Sequence, residues 1–126
     1  TKMNTKAFGD KGEQIATEFL KNKGYDILHR NFVAAGNELD IVAFDYSTNQ
    51  IVFVEVKTLA DDFFQMPYQE VNMKKQKKII RAANSYLIRY NIDKEARFDV
   101  ISIVKRENAD PQIEHIISAF TAFDFI

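Results

Sequence analysis

The run "IVFVEVKTL" carries Glu55 and Lys57 inside a segment otherwise suited to burial. Residues two apart in an extended chain share a face, so Ile51, Phe53, Glu55 and Lys57 fall on one side and Val52, Val54 and Val56 on the other. The preceding run "ELDIVAFD" is built the same way. Alternation puts Glu38, Asp40, Val42 and Phe44 on one face, opposite Leu39, Ile41 and Ala43. The polar stretch "YSTN" between the two runs reads as a turn, which makes them a hairpin. A loop centred between Ser47 and Thr48 pairs Phe44 with Ile51, Val42 with Phe53, Asp40 with Glu55, and Glu38 with Lys57. Directly opposed side chains have Cβ atoms roughly 4.5–5.5 Å apart, and two carboxylates at that spacing repel. A divalent cation between them removes the conflict. Hard oxygen ligands without Cys or His favour Mg²⁺ or Mn²⁺ over Zn²⁺. A register slipped by two residues keeps all four charged groups on one face and changes only the pairs. The competing reading is a structural ion cluster in which Lys57 neutralises Glu55 or Glu38.

Two helices must position this pair of strands. The first is expected from about Asp10 to Lys23, with Ile15, Ala16, Phe19 and Leu20 at helical spacing and Gly24 as a stop. Glu13 borders its apolar face, from which it could reach a site at the sheet. The spacing from Asp10 also fits a capping box in outline. The second helix is expected from about Glu70 to Tyr90, on a stripe of Ile79, Ile80, Ala83, Tyr86, Leu87 and Tyr90. It carries Lys74, Lys75, Lys77, Lys78, Arg81 and Arg89, and no acidic residue lies between Val71 and Ile92. A helix shaped only for solubility gains from interleaved Glu. A face of one sign suits a polyanion such as a nucleic-acid backbone. Gln76 falls on the apolar stripe, where its amide needs a partner. Either it bonds backbone at the helix start or it points at the charged end of the sheet; Lys75 borders the same face. His29 and His115 stand singly and read as structural or surface residues.

The bulk properties agree with one α/β domain over residues 1–126. Hydrophobic residues make up 46% of the 126, charged residues 28%, and the formal net charge is −1. A nucleic-acid surface must therefore come from local charge placement, not from an overall basic balance. The absence of cysteine excludes disulfides and thiolate metal sites and suits a reducing cytoplasm. The first residues lack the apolar run of a signal peptide, and no stretch approaches the ~18 apolar residues of a membrane span. Adding strands at "YDILHRNF" and "RFDVISIV" and a short one at "IEHIISAF", with a loop over 59–69, gives the order α-β-β-β-α-β-β. That order predicts a mixed sheet of about five strands flanked by helices.

Taken together, Gly12-Glu13, "GYDILHRN", "NELDIVA", "FVEVKT", "KQKKIIRAANSYL", "RFDVISI" and "IEHIISAF" resemble the YraN-like uncharacterised bacterial family over about residues 7–120. That family is assigned to the PD-(D/E)xK, or restriction-endonuclease-like, superfamily. The resemblance implies a metal-dependent endonuclease that hydrolyses nucleic-acid phosphodiester bonds, with DNA, branched DNA included, as the expected partner. Asp40 matches the first-strand acid, Glu55 the (D/E), Lys57 the lysine and Glu13 the glutamate of helix one. Gln76, with Lys75, falls where some members place a further active-site residue. Asp40, Glu55 and Glu13 would hold Mg²⁺ or Mn²⁺, with Glu38 as an additional acid. Lys74, Lys75, Lys77, Lys78 and Arg81 would meet the backbone. Leu59 stands where the family has arginine. Nucleases that cut both strands often pair their sites, so a homodimer fits this reading. The alternative is a non-catalytic nucleic-acid-binding module on the same fold.

Lys57→Ala is expected to abolish Mg²⁺-dependent cleavage while leaving the fold largely intact. Equal nucleic-acid turnover by this variant and the wild type would sink the assignment.

Overall fold

Alternating apolar residues and left-handed turn positions build an α/β architecture in the computed structural model, which describes residues 5–59 and 71–122 and the side chains from residue 10 onward. Helix α1 (Thr5–Asn22) is followed by strands β1 (Asp26–Ala34), β2 (Asn37–Asp45) and β3 (Gln50–Leu59). Helix α2 (Met73–Arg89) then leads to β4 (Glu95–Arg106) and β5 (Ala109–Phe120). The sheet order is β1-β2-β3-β4-β5. The β1/β2, β2/β3 and β4/β5 pairs are antiparallel, and β3/β4 is parallel. The expected order α-β-β-β-α-β-β is thus the observed one. The helix α1 begins earlier than expected, and β5 is a full-length strand. The loop expected over 59–69 lies almost wholly outside the described residues, as does Glu70, and the second helix begins later than expected, at Met73, because the Asn72 side chain caps it.

The turns follow local chemistry. Ala35 and Gly36 both take positive φ, 52° and 74°. Two such residues make the tight turn whose twist matches a hairpin. At the "YSTN" turn, the Asp45 carboxylate accepts from Ser47 N and Ser47 Oγ at 3.0 and 2.7 Å. The β2/β3 ladder then runs from Asp45↔Gln50 through Phe44↔Ile51 and Val42↔Phe53, which is the expected register.

Each face of the sheet receives one helix. On one side Ala16 and Leu20 of α1 pack on Ile41, Ala43, Val52, Val54, Ile101 and Ile103. On the other, Ile79, Ala82, Ala83 and Tyr86 of α2 pack on Val42, Ile51, Phe53, Phe98 and Val100. Burial of a large apolar side chain stabilises by about 1.5–3 kcal/mol, so these two layers drive folding. None of the helices among the described residues is long and apolar enough to cross a membrane.

A polar knot interrupts the α1-side layer. Arg97 donates to Asp99 at 2.9 and 3.0 Å, to Asp45 at 2.9 Å and to the Tyr25 hydroxyl at 2.8 Å. The Nε2 of His115 lies 2.7 Å from Asp99, and Ser118 N donates to the same carboxylate at 3.0 Å. Burial alone would raise both acids. Ser47 and Arg97 at Asp45, and His115, Arg97 and Ser118 at Asp99, outweigh it and hold both below the usual range. This ties the "YSTN" turn and the start of β1 to β4 and β5. His115 is a buried structural histidine. His29 is structural too, its Nδ1 2.7 Å from the Tyr86 hydroxyl.

Arg97→Ala leaves two buried carboxylates without their shared cation, at an expected cost of roughly 3–5 kcal/mol. Urea denaturation near neutral pH measures it. Because both acids have depressed pKa values, the contribution is present above the ordinary carboxylate range and is lost as pH falls below it. The gap between variant and wild type should therefore narrow on acidification.

Candidate metal centre

The hairpin comes apart at its charged end. The β2/β3 ladder stops at Ile41↔Val54, so the expected pairs Asp40–Glu55 and Glu38–Lys57 are not formed. Instead, Asp40 Oδ2 accepts the backbone N–H of Val56 at 2.8 Å. A side chain has taken the place of a strand neighbour. Glu38 pairs with Val33 of β1.

The expected alternation in β2 also fails at Asp40. Leu39 packs in the α2-side layer with Val42, whereas Ile41 and Ala43 pack in the α1-side layer. Leu39 and Ile41 thus lie on opposite faces although they are two residues apart. Regular pleating would put them together. The strand switches faces at Asp40, which stands between the two layers.

Glu13 arrives from the α1 side. Helix α1 starts at Thr5, so Glu13 lies inside the helix and the capping-box reading is excluded. Gly12 beside it lies against Thr58 of β3, and a Cβ there would overlap the Thr58 hydroxyl. Only a missing side chain lets the helix come this close to the strand end. Glu13, Glu38 and Asp40 each offer a carboxylate oxygen, and these oxygens all lie within 4.8 Å of one another. Glu38, a secondary candidate by sequence, is thus a full member of the group. Glu55 stands outside this trio but interacts with it through Asp40.

The electrostatics are those of acids short of cations. Burial, then the charge of Asp40, pushes Glu55 up to about 8. Burial, then Asp40 and Glu38, pushes Glu13 up to about 7. Asp40 is raised as well, by burial, against the opposing pull of the Val56 N–H and Lys75. Among the described residues, Glu13 Oε2 is buried with no hydrogen-bond partner. Carboxylates this close, with one oxygen unspent, fit a hard divalent cation of the Mg²⁺ or Mn²⁺ class.

The basic residues divide into two groups. Lys75 Nζ lies 3.7 Å from Glu55 Oε1, and its side chain is 41% exposed. The backbone N–H of Lys75 bonds the Asn72 cap at 2.9 Å, which fixes it in the first turn of α2. Lys57 acts on Glu55 by charge, second to Lys75. Lys74, Lys77, Lys78 and Arg81 are exposed along α2. Gln76 Nε2 donates to the Val71 carbonyl at 2.9 Å, which is the backbone role, not a reach toward the acids.

Three features were not anticipated. An open cleft of about 530 Å³ beside the acids is lined by Asp10, Glu13, Arg30, Asn31 and Glu38. Arg30 and Asn31 were not among the candidates; an Asn in a strand of larger residues was the one available signal, since Asn is poor in strands and tolerant of positive φ. Ser102 pairs with Lys57 across β3/β4 and is buried, and its Oγ has no partner among the described residues.

Comparison with known proteins agrees with the motifs. Residues 12–103 match the model of an uncharacterised protein family, UPF0102. A UPF0102 protein of Pelobacter propionicus is 47% identical over 113 residues, covering 89% of this chain and 81% of that protein. One of Geotalea daltonii is 44% identical over 94% of this chain and 93% of its own length. One of Bacteroides thetaiotaomicron is 41% identical over 89% and 90%.

The raised pKa values give the metal-free protein a testable pH dependence. Glu55 and Glu13 bind protons more tightly folded than at their ordinary value of 4.5. Stability is therefore greatest below that value and is lost as pH rises through about 7 to 8, each unit of elevation being worth about 1.4 kcal/mol. Urea denaturation in EDTA between about pH 5 and pH 9 should show the decline. Glu55→Gln should make it shallower, leaving the part due to Glu13, and a wild-type profile as shallow as the variant's would contradict the electrostatics described.

Proposed function

This chain belongs to the uncharacterised protein family UPF0102, and from its acidic cluster we propose that it is a divalent-metal-dependent nuclease acting on nucleic-acid phosphodiester bonds. The observation that carries the reading is the Glu13–Glu38–Asp40 group, with its carboxylate oxygens within 4.8 Å and a buried Glu13 oxygen left unpartnered. Acids brought together from a helix and from a strand that breaks its own ladder are poor choices for stability. They are good choices for holding Mg²⁺ or Mn²⁺. When bound, such an ion supplies Lewis acidity toward an attacking water and a phosphate oxygen.

The chain's own groups do the rest. Asp40 would hold the ion together with Glu13 and Glu38 on the α1 side, and Glu55 stands beside it on the α2 side. Lys57 orients the attacking water or stabilises the negative charge that builds on the phosphate. Lys75, paired with Glu55 and half-exposed, is near enough to turn toward the same charge.

The charge placement on α2 supports a polyanionic substrate. Its first turn holds no acidic residue, although the positive end of a helix favours acids and disfavours lysines. Lys74, Lys75, Lys77 and Lys78 crowd that end. A nucleic-acid backbone would bring negative charge to both this basic turn and the helix dipole.

The test is a panel of labelled duplex, single-strand, flap and four-way-junction substrates with Mg²⁺ or Mn²⁺. Wild-type protein should cut at least one of them, and Asp40→Asn and Glu55→Ala should lose at least a hundredfold in rate, about 2.7 kcal/mol of barrier. Binding without cutting by the wild type would replace the nuclease with a nucleic-acid-binding module. No salt-sensitive binding at all would dismiss both.

A further inference from the structure

The face switch in β2 has a counterpart in β1. Arg30 pairs with Ile41 and Phe32 with Leu39, which puts Asn31 opposite Asp40. Asn31 takes φ 52°, in the left-handed region, in the middle of a strand. Asn reaches that region at lower cost than other side chains, glycine excepted. On one side of this point β2 presents Leu39 to the α2 layer, and on the other it presents Ile41 to the α1 layer. The irregularity in β1 and the switch in β2 coincide, so the two strands leave regular pleating together.

The Asn31 side chain is also well placed. It lines the cleft beside Glu13, Glu38 and Arg30. Its side chain and the Glu13 carboxyl thus share one lining, with Asn31 as a polar neighbour of that acid. One Glu13 oxygen, Oε2, has no partner among the described residues. That oxygen is left for a ligand. Groups that hold a metal-binding side chain in one orientation commonly matter to affinity nearly as much as the ligands.

Building on the metal-site reading above, we propose that Asn31 is a positioning residue of the centre: its left-handed backbone sets the face switch at Asp40, and its amide orients Glu13.

The test is calorimetric titration of the intact protein with Mn²⁺ above pH 8, beside thermal melts in EDTA. Asn31→Gly preserves the backbone conformation and deletes the amide. It should melt close to the wild type yet bind Mn²⁺ roughly tenfold more weakly. Asn31→Ala, which resists positive φ, should lose both melting temperature and affinity. The discriminating comparison is in a Glu13→Gln background. There Asn31→Gly should cost almost nothing further, because the residue acts through Glu13. Wild-type affinity in Asn31→Gly would overturn the inference, as would an equal cost with and without Glu13. Failure of the wild type to bind Mn²⁺ would instead overturn the metal site itself, and this inference with it.

Discussion

The hydrogen bond from Val56 N to the Asp40 carboxylate is the contact on which the rest of the site depends. Strands β2 and β3 are a regular antiparallel pair from the turn to Ile41↔Val54. Beyond it, a backbone donor that would otherwise meet a neighbouring strand is taken by a side chain at 2.8 Å. A buried N–H must find a partner somewhere. By providing one, Asp40 lets the strands separate without leaving an orphan. The gap gives α1 access to the strand end, and Gly12 against Thr58 lets the helix use it.

The sheet holds two groups of buried acids with opposite solutions. Asp45 and Asp99 are neutralised by Arg97 and kept below the usual carboxylate range. Glu13, Asp40 and Glu55 are raised, although Lys75 pulls down on Asp40 and Glu55 and Lys57 on Glu55. Both groups sit in one small sheet, so the difference is not one of burial alone. Where the fold needs buried charge for its own cohesion, it supplies a guanidinium with fixed geometry. At the other end it supplies no guanidinium of that kind to the raised acids, a pattern in which strongly perturbed carboxyls mark a candidate functional site.

Helix α2 joins the two themes. Its buried residues Ile79, Ala82, Ala83 and Tyr86 seal one face of the sheet. The Asn72 cap fixes the first turn so that Lys75 stands beside Glu55. Gln76 spends its amide on Val71 at the helix entry. The same turn therefore anchors the crossover between β3 and β4 and brings one cation to the acids, while the outward lysines remain on the surface.

Much of this was legible in the chain itself. Helical and strand periods, the polar turn at "YSTN" and the register through Phe44↔Ile51 depend on near neighbours, and local sequence specifies near neighbours. The types of Glu13, Asp40, Glu55 and Lys57 already marked them as candidates for one charged site. What alternation could not reveal was its own breakdown. It assumes regular pleating, and the pleat fails where Asn31 and Asp40 meet. For that reason Glu38 moved from the margin to the trio with Glu13, and the expected Asp40–Glu55 cross-strand pair gave way to a bond with Val56. Burial, too, is a property of the assembled molecule. The acids are raised because helix α1, distant in sequence, closes on the β2/β3 hairpin. The sequence by itself determined which groups were available; only the tertiary structure decided which of them share a site, because that depends on where the sheet stops being regular.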